Sequence, residues 1–319
     1  MDEYRARTDL LDEKGRLTRS RRSAYDTYIY NKEDARGKLS EWERCFVFGP
    51  RFALEIDYGH TPRAGIAEVR LTDFETDEQL TSGGVHRFPG DAFDLDFSCG
   101  EEHTVKYENG DLYLLLTLYD GVRRVKIRSS RFEGDFSCAD DGLGLYTTEN
   151  LGARRFLSRG FRCHPELSGF LRVNNLDYVL DGRTFFYSES MRGALPGRLP
   201  YLRGFGSTEL PGGVLSITVS DGEDGAPENA LFYGGEMIPL SRAFLKQTAP
   251  GAGKLWYISD SERRLHLRFT PEHEYTVRRR PFLAKDELHQ TFGTLSGTAD
   301  LPDGEHLIIE DMPFCCEEH

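Results

Sequence analysis

The sequence lacks any long apolar run, and its amino terminus is charged throughout. No window approaches the ~20 consecutive apolar residues that a membrane-spanning helix requires. The first residues, MDEYRARTDLLDEKGRL, contain no apolar core of the signal-peptide type. These absences predict a soluble, cytoplasmic protein that does not insert into membranes.

Signatures of metal sites and of common catalytic motifs are also missing. The six cysteines are scattered without a C-x-x-C pair, and the histidines show no ligand-type spacing. There is no G-x-S-x-G nucleophile elbow and no complete phosphate-binding loop. We therefore expect reduced structural thiols, no metal and no cofactor.

Basic residues are outnumbered by acidic ones. The chain has 40 Lys and Arg against 53 Asp and Glu, which gives a formal net charge of -13. Such a surface repels phosphate backbones and anionic lipids, so we expect no nucleic-acid partner. The predicted partner is a small-molecule ligand or substrate, and the sequence leaves the oligomeric state open.

What the sequence does contain is a period-two alternation of apolar and polar residues. In RLHLRF, for example, Leu265, Leu267 and Phe269 share one face, while the intervening polar residues share the other. Turn signals such as Glu108 to Asp111 separate the strand-like runs, and helical periodicity is scarce. This pattern predicts an all-β protein of antiparallel barrels or sandwiches.

The length of 319 residues exceeds what one closed barrel needs, which predicts two domains. Residues 147–169 form the longest central stretch without strand alternation, so we place the boundary near residue 150. The first domain, 1–150, is then a β-barrel with an extended amino-terminal arm that turns around Asn31 to Arg36. The second domain, 151–319, is a β-barrel that carries the candidate site.

Six blocks of the chain form a recognisable series: LLDEKGRL (10–17), YNKEDARGKLSEW (30–42), AEVRLTDFET (67–76), CHPELSG (163–169), ENALFYGG (228–235) and HQTFGTLSGT (289–298). In order and spacing they resemble DUF2804, a bacterial family of unknown function. That family is similar to two-domain lipocalin-like proteins, including carotenoid hydratases and tocopherol-cyclase-type enzymes. The resemblance implies two lipocalin-like (calycin) antiparallel β-barrels packed side by side, but fold alone does not transfer function.

The chain departs from that family between residues 188 and 209. A Trp-rich block of the sort D-W-G-R-G…W-Y-W-G-S is expected there, whereas the sequence reads SESMRGALPGRLPYLRGFGSTE. Arg192-Gly193 and Gly206-Ser207 are retained, Glu189 stands where the Asp would be, and the tryptophans are missing. These changes indicate a remodelled site.

Glu228 and Asn229 are the first candidate site residues. They precede the apolar run from Ala230 to Tyr233 and belong to a family block. A carboxyl at the start of a barrel strand can point into the barrel mouth, where burial raises its pKa and lets it donate a proton. An acid that caps a turn explains the same pattern.

Glu189 and Arg192 are the second pair of candidates, three residues apart in a segment that reads as a loop. Glu189 is a second catalytic acid in this interpretation, and Arg192 orients a ligand together with Asn229. A structural ion pair explains them equally well. Further ligand-binding candidates are Tyr187, Tyr201, Tyr233 and His289, for which core packing or an ordinary closing strand is the alternative.

The residues therefore predict a small-molecule-binding protein that acts, if it is an enzyme, by acid-catalysed hydration, cyclisation or isomerisation of a largely apolar ligand. Glu228 is then the proton donor. Two alternatives stay open: a carbohydrate-active hydrolase or lyase that uses paired carboxylates, and a non-catalytic binder of a lipid or polyphenol.

Overall fold

The computed structural model describes residues 7–62, 64–87, 93, 95–164, 166–195, 201–221, 228–248, 255–278 and 287–318. Almost all of its regular structure is antiparallel β-sheet, with a short 3-10 helix at Lys32–Asp34 in the predicted turn of the amino-terminal arm. The all-β class is confirmed. In the described part of the chain, no helix is long and apolar enough to cross a membrane.

The chain divides into two compact units, Met1–Gly197 and Arg198–His319. The first unit contains an eight-stranded sheet of β2 (Arg21–Ser23), β4 (Ser40–Phe48), β5 (Phe52–Thr61), β6 (Ala64–Asp73), β7 (Glu78–Arg87), β12 (Leu145–Asn150), β13 (Phe156–His164) and β16 (Phe185–Ala194). Its strand order is β2-β12-β13-β16-β4-β5-β6-β7.

A six-stranded sheet completes the first unit, together with a short parallel pair in the arm, β1 (Thr8–Asp9) and β3 (Tyr28–Ile29). Its strands are β8 (His103–Asn109), β9 (Leu112–Tyr119), β10 (Val122–Arg128), β11 (Phe132–Ala139), β14 (Leu167–Val173) and β15 (Leu176–Tyr178). Their order is β15-β14-β11-β10-β9-β8.

One apolar core joins the two sheets of the first unit. Val47, Ile56 and Val69 of the eight-stranded sheet belong to the same buried cluster as Leu114 and Ile127 of the six-stranded sheet. Because side chains alternate along a strand, each strand of the eight-stranded sheet also has an opposite set. We call the face that carries Val47, Ile56 and Val69 the inner face, and the opposite one the outer face.

In its described residues, the second unit forms one nine-stranded antiparallel sheet. Its strands are β17 (Leu202–Leu210), β18 (Gly213–Asp221), β19 (Ala230–Tyr233), β20 (Glu236–Pro239), β21 (Ala243–Gln247), β22 (Trp256–Asp260), β23 (Leu265–Arg278), β24 (Glu287–Asp300) and β25 (His306–Glu318). The order is β20-β19-β18-β17-β25-β24-β23-β22-β21. Strand β18 also lies against β21, so the sheet curls around its own apolar core.

The hairpin between β19 and β20 accounts for two glycines of the block ENALFYGG. Tyr233 pairs with Glu236, which leaves Gly234 and Gly235 as a two-residue loop. Their φ angles are 62° and 78°. Two-residue hairpins of this kind need positive φ at both positions, which glycine adopts without strain. This part of the block is therefore structural.

The division between the units does not fall near residue 150. Residues 156–194 belong to the first unit, because β13 pairs with β16 and β16 pairs with β4. The segment 147–169, which lacks alternation in the sequence, contains most of β12, the whole of β13 and the start of β14. Several of its polar residues, such as Thr147, Arg162 and His164, are buried, which obscures the period-two pattern.

Candidate functional site

Strand β16 carries three of the predicted site residues, but on two faces. Tyr187 and Glu189 lie on the outer face, whereas Arg192 lies on the inner face. The segment was predicted to be a loop, and it is a strand between β13 and β4. Because the sheet separates Glu189 from Arg192, these two residues do not form one joint site.

Glu189 instead belongs to a group of charged side chains on the outer face. Arg44 is at the centre of this group, and its Nη2 donates a hydrogen bond to Oε2 of Glu55 at 2.6 Å. The Arg44 guanidinium also lies 3.8 Å from Oδ1 of Asp57 and 3.8 Å from Oε2 of Glu189. One arginine therefore holds carboxylates from two neighbouring strands.

Arg70 extends the group across β6. Its Nη2 donates to Oε1 of Glu68 at 2.7 Å. Its guanidinium lies 3.8 Å from Glu55 and 3.9 Å from Asp57, so these two carboxylates connect both arginines. We call the whole group the arginine–carboxylate cluster, and its members are Arg44, Glu55, Asp57, Glu68, Arg70 and Glu189.

The cluster is mostly shielded from water. The Arg44 and Glu55 side chains are 8% and 2% exposed, whereas Glu189 at its edge is 22% exposed. Removing charges from water costs several kcal/mol per ion. Replacing buried ion pairs with apolar residues of similar volume often leaves a protein equally stable or more stable. Six ionisable groups in such a place mark a candidate functional site, and Glu189 is its most accessible carboxyl.

Aromatic rings border Glu189. In the strand register it lies between Phe161 of β13 and Arg44 of β4. The Tyr187 ring centroid is 6.0 Å from that of Phe161 and 6.5 Å from that of Phe46, and the Arg44 guanidinium lies over Phe46 at 5.2 Å. Carboxyls, a guanidinium and aromatic faces are therefore combined on one side of the sheet.

Arg192 is fixed inside the first unit. Its Nη2 donates to Oε1 of Glu43 at 2.7 Å, and its Nη1 donates to the carbonyl of Trp42 at 2.8 Å. Burial lowers the pKa of Arg192, but the Glu43 carboxylate, Cys99 and Tyr30 together outweigh burial, and the pKa is raised. Arg192 therefore remains a buried cation with a permanent partner.

A second ion group lies inside the first unit. Oδ2 of Asp140 accepts from Nε of Arg123 at 3.0 Å, and both Asp140 oxygens accept from Nη1 of Arg162 at 3.1 and 2.9 Å. Nη2 of Arg162 also donates to the carbonyl of Cys99 at 2.6 Å. Burial would raise the pKa of Asp140, but the two guanidiniums lower it below its ordinary value.

Two histidines close to this group are held neutral. Burial lowers the pKa of His103 to about 4 and that of His164 to about 3. His164 hydrogen-bonds to the carbonyl of Ala139 and to the Ser188 hydroxyl, and His103 is stacked on Phe97 at 3.9 Å. His164 lies on the inner face and His103 on β8 of the six-stranded sheet. Protonating either ring is costly.

In the second unit, Glu228 and Asn229 have different environments. Glu228 is half-buried at a turn directly before β19. Asn229 is fully buried: its Oδ1 accepts from the backbone N–H of Ser220 at 2.6 Å, and its Nδ2 donates to the carbonyl of Ser241 at 3.2 Å. Asn229 therefore ties β18 to the segment before β21, which favours a structural role for it.

Replacing Asn229 with alanine is expected to destabilise the second unit by about 2–3 kcal/mol, because a buried donor and a buried acceptor lose their partner. The chain has two tryptophans, Trp42 in the first unit and Trp256 in the second. Urea unfolding followed by fluorescence in a Trp42→Phe background therefore reports on the second unit. Glu228→Gln is the neighbouring control, and it should change the free energy of unfolding by less than about 0.5 kcal/mol. Equal effects of the two substitutions would show that the hydrogen bonds of Asn229 do not stabilise the second unit.

Of the other predicted residues of the second unit, Tyr201 lies beside the buried residue Arg203. The Arg203 guanidinium lies over the half-buried Tyr201 ring at 5.5 Å. Tyr233 packs against the apolar core, and His289 is exposed, with its Nδ1 3.1 Å from the Thr276 hydroxyl. Core packing and an ordinary strand position account for Tyr233 and His289.

A buried polar group of the second unit was missed in the sequence. Nη2 of Arg203 donates to Oε2 of Glu317 at 2.6 Å, and Nε2 of Gln290 donates to Oε1 of Glu317 at 3.0 Å. Glu317 and Gln290 have no exposed surface.

Among the described residues, no three His, Cys, Asp or Glu side chains are arranged to hold a metal ion.

The chain belongs to the family described as Domain of unknown function (DUF2804), whose profile matches residues 1–319. No curated protein matches the chain in sequence. Its structure is similar to CghA solved with Sch210972, with a TM-score of 0.54, 11% identity and 88% of each chain covered. It is also similar to kievitone hydratase from Nectria haematococca, with a TM-score of 0.51, 12% identity and 90% of each chain covered. These likenesses confirm the lipocalin-like two-domain fold.

Proposed function

For this member of DUF2804 we propose a small-molecule enzyme that uses Glu189 for proton transfer to a largely apolar ligand. The observation that carries the proposal is the arginine–carboxylate cluster, in which Arg44 lies 3.8 Å from the Glu189 carboxyl beside aromatic rings. The fold gives secondary support, since one similar protein is a hydratase and another was solved with the small molecule Sch210972.

The proposed reaction is acid-catalysed hydration, cyclisation or isomerisation. Glu189 gives its proton to one carbon of a carbon–carbon double bond, which leaves a carboxylate and a cationic carbon. The faces of Phe46, Phe161 and Tyr187 stabilise that cation. Water or a nucleophile of the ligand then adds, or a neighbouring C–H bond breaks, and the proton released returns to Glu189.

The rest of the cluster positions Glu189 in this proposal. Arg44 is held by Glu55 and Asp57, so its guanidinium is fixed before a ligand binds. A fixed guanidinium beside the carboxyl sets its orientation and stabilises the carboxylate formed after proton transfer. Glu228 stays a second candidate acid, on its position before β19.

The test is an incubation of the purified protein with metabolite extract of its native cell, in D2O and in H2 18O, followed by mass spectrometry. Hydration incorporates 18O and deuterium, whereas cyclisation or isomerisation incorporates deuterium alone. We expect Glu189→Gln to slow the labelled conversion by about 100-fold or more, because a general acid contributes that much or more.

Glu133→Gln is the matched control, since Glu133 of β11 is an exposed carboxylate that pairs with Arg172 of β14. It should leave the conversion unchanged. Glu228→Gln is measured in parallel to assign the proton donor. If Glu189→Gln turns over at the wild-type rate, Glu189 is not the acid; if the wild-type protein binds metabolites without incorporating label, the protein is a binder and the catalytic proposal fails.

A further inference from the structure

The inner face of the eight-stranded sheet carries a second polar row, on the side opposite to Glu189. In the strand register Arg192 of β16 lies opposite Glu41 of β4, and Glu41 lies opposite His60 of β5. His60 lies opposite Gly65 of β6, which in turn lies opposite His86 of β7. We call these residues the inner row: Arg192, Glu41, His60, Gly65 and His86.

Two atoms at the buried end of the inner row have no hydrogen-bond partner among the residues that the structure describes. Oε2 of Glu41 is 2.8 Å from Nε2 of His60, but Oε1 of Glu41 is unpaired. Nε of Arg192 is also unpaired, although its other nitrogens bind Glu43 and Trp42. Glu41 is 2% exposed and Arg192 is 1% exposed. An unpaired charged group at such depth is costly, so the pair is suited to a guest.

The unpaired atoms are a complementary donor and acceptor, and they belong to directly opposed residues of neighbouring strands. The Cβ atoms of residues in such a pair generally lie about 4.5–5.5 Å apart. The N–H of Arg192 donates, and the carboxylate oxygen of Glu41 accepts. A hydroxyl group can accept from the first and donate to the second at once. A carboxylate ligand cannot donate, and an ammonium cannot accept, whereas the hydroxyl of an alcohol or a phenol matches both atoms.

The other end of the inner row is bordered by aromatic rings, and the Tyr107 hydroxyl hydrogen-bonds to Nε2 of His86. Gly65 places no side chain between His60 and His86, and the His60 side chain is 17% exposed. Near His86, the Phe93 ring centroid is 5.6 Å from that of His86 and 5.3 Å from that of Tyr58. At the Arg192 end, the guanidinium lies over Phe97 at 5.2 Å. Aromatic surfaces at both ends favour a flat apolar body.

We propose that the inner row binds a hydroxylated, flat apolar molecule, whose hydroxyl is held between Arg192 and Glu41. The site is separate from the arginine–carboxylate cluster and does not depend on the proposed reaction there. It also gives Arg192 a ligand-binding role, with Glu41 rather than Glu189 as its neighbour.

The experiment is a titration of the full-length protein with phenol and, in parallel, with toluene, which has a similar ring and no hydroxyl. Imidazole NMR signals of His60 and His86, assigned by His→Gln substitution, report on the site. We expect phenol to bind at least 10-fold more tightly than toluene and to shift the imidazole signals. Arg192→Lys keeps a cation beside Glu43 but lacks the Nε donor, so it should weaken phenol binding by about 10-fold and leave toluene binding unchanged.

Glu189→Gln is the control for the opposite face, and phenol binding should be the same as in the wild-type protein. Equal affinity for phenol and toluene, or no shift of either imidazole, would overturn the proposal and leave water as the occupant. If Arg192→Lys fails to fold, Glu41→Gln takes its place, and the wild-type comparison of phenol with toluene still decides the matter. Loss of the Glu189 reaction with phenol binding intact would reject only the proposed function.

Discussion

Asp140→Asn is expected to destabilise the first unit by about 4 kcal/mol or more. The substitution removes the carboxylate that Arg123 and Arg162 share, and it leaves two buried guanidiniums against a neutral amide. Removing one partner of a buried pair costs about 3–5 kcal/mol. Because whole domains are stable by about 5–15 kcal/mol, the variant should be close to unfolded.

Urea unfolding in a Trp256→Phe background measures this effect, because Trp42 is then the only tryptophan and reports on the first unit. Asp135→Asn is the matched control. Asp135 accepts two hydrogen bonds from Arg124 at 2.7 Å each, but that arginine is 55% exposed. We expect the loss of this surface pair to lower the free energy of unfolding by less than about 1 kcal/mol. Similar losses for Asp140→Asn and Asp135→Asn would show that burial of the ion group does not matter.

Acidification from pH 7 to pH 5 is expected to destabilise the first unit by roughly 4 kcal/mol. The folded-state pKa values of His103 and His164, about 4 and about 3, lie below the ordinary value of 6.5. Between these values the unfolded chain binds protons that the folded chain excludes, so stability is complete above pH 6.5 and falls as the pH decreases. Each histidine contributes about 1.4 kcal/mol per pH unit in that range.

The measurement is urea unfolding at pH 7 and at pH 5, again with Trp42 as the probe. In the double variant His103→Gln, His164→Gln, most of the difference between the two pH values should disappear. His306→Gln is the control, because His306 is exposed and pairs with Asp300 on the second unit. A pH dependence that persists unchanged in the double variant would assign the effect to other groups.

The sequence pattern hides two of the four strands that carry the candidate site, and it hides the burial of the charged residues on the other two. Alternation correctly predicts β5 and β6, but their Glu55 and Arg70 occupy the polar positions that such a pattern assigns to solvent, and both are buried. Strands β4 and β16 are buried on both faces and carry charged residues among apolar ones. Their period-two signal is therefore lost, and β16 reads as a loop.

The sequence pattern misplaced the boundary between the units for the same reason, namely that buried polar residues hide the alternation. Strand β13 has buried Arg162 and His164 where an apolar residue would complete the alternation. Family blocks did not help, because several of their residues are structural. Asp12, in the first block, accepts from the backbone N–H groups of Lys14 and Arg16 and closes a turn. Sequence blocks therefore indicated the family and the fold but not the cluster around Arg44, which depends on the pairing of distant strands.

The most direct measurement is a crystal structure of the wild-type protein with the metabolite that copurifies from its native lysate, as identified by mass spectrometry. The account predicts ligand atoms within about 4 Å of the Glu189 carboxyl and against the Phe161 ring. A reactive guest bound beside Glu228 or elsewhere, with no atom near Glu189 or Arg44, would contradict it.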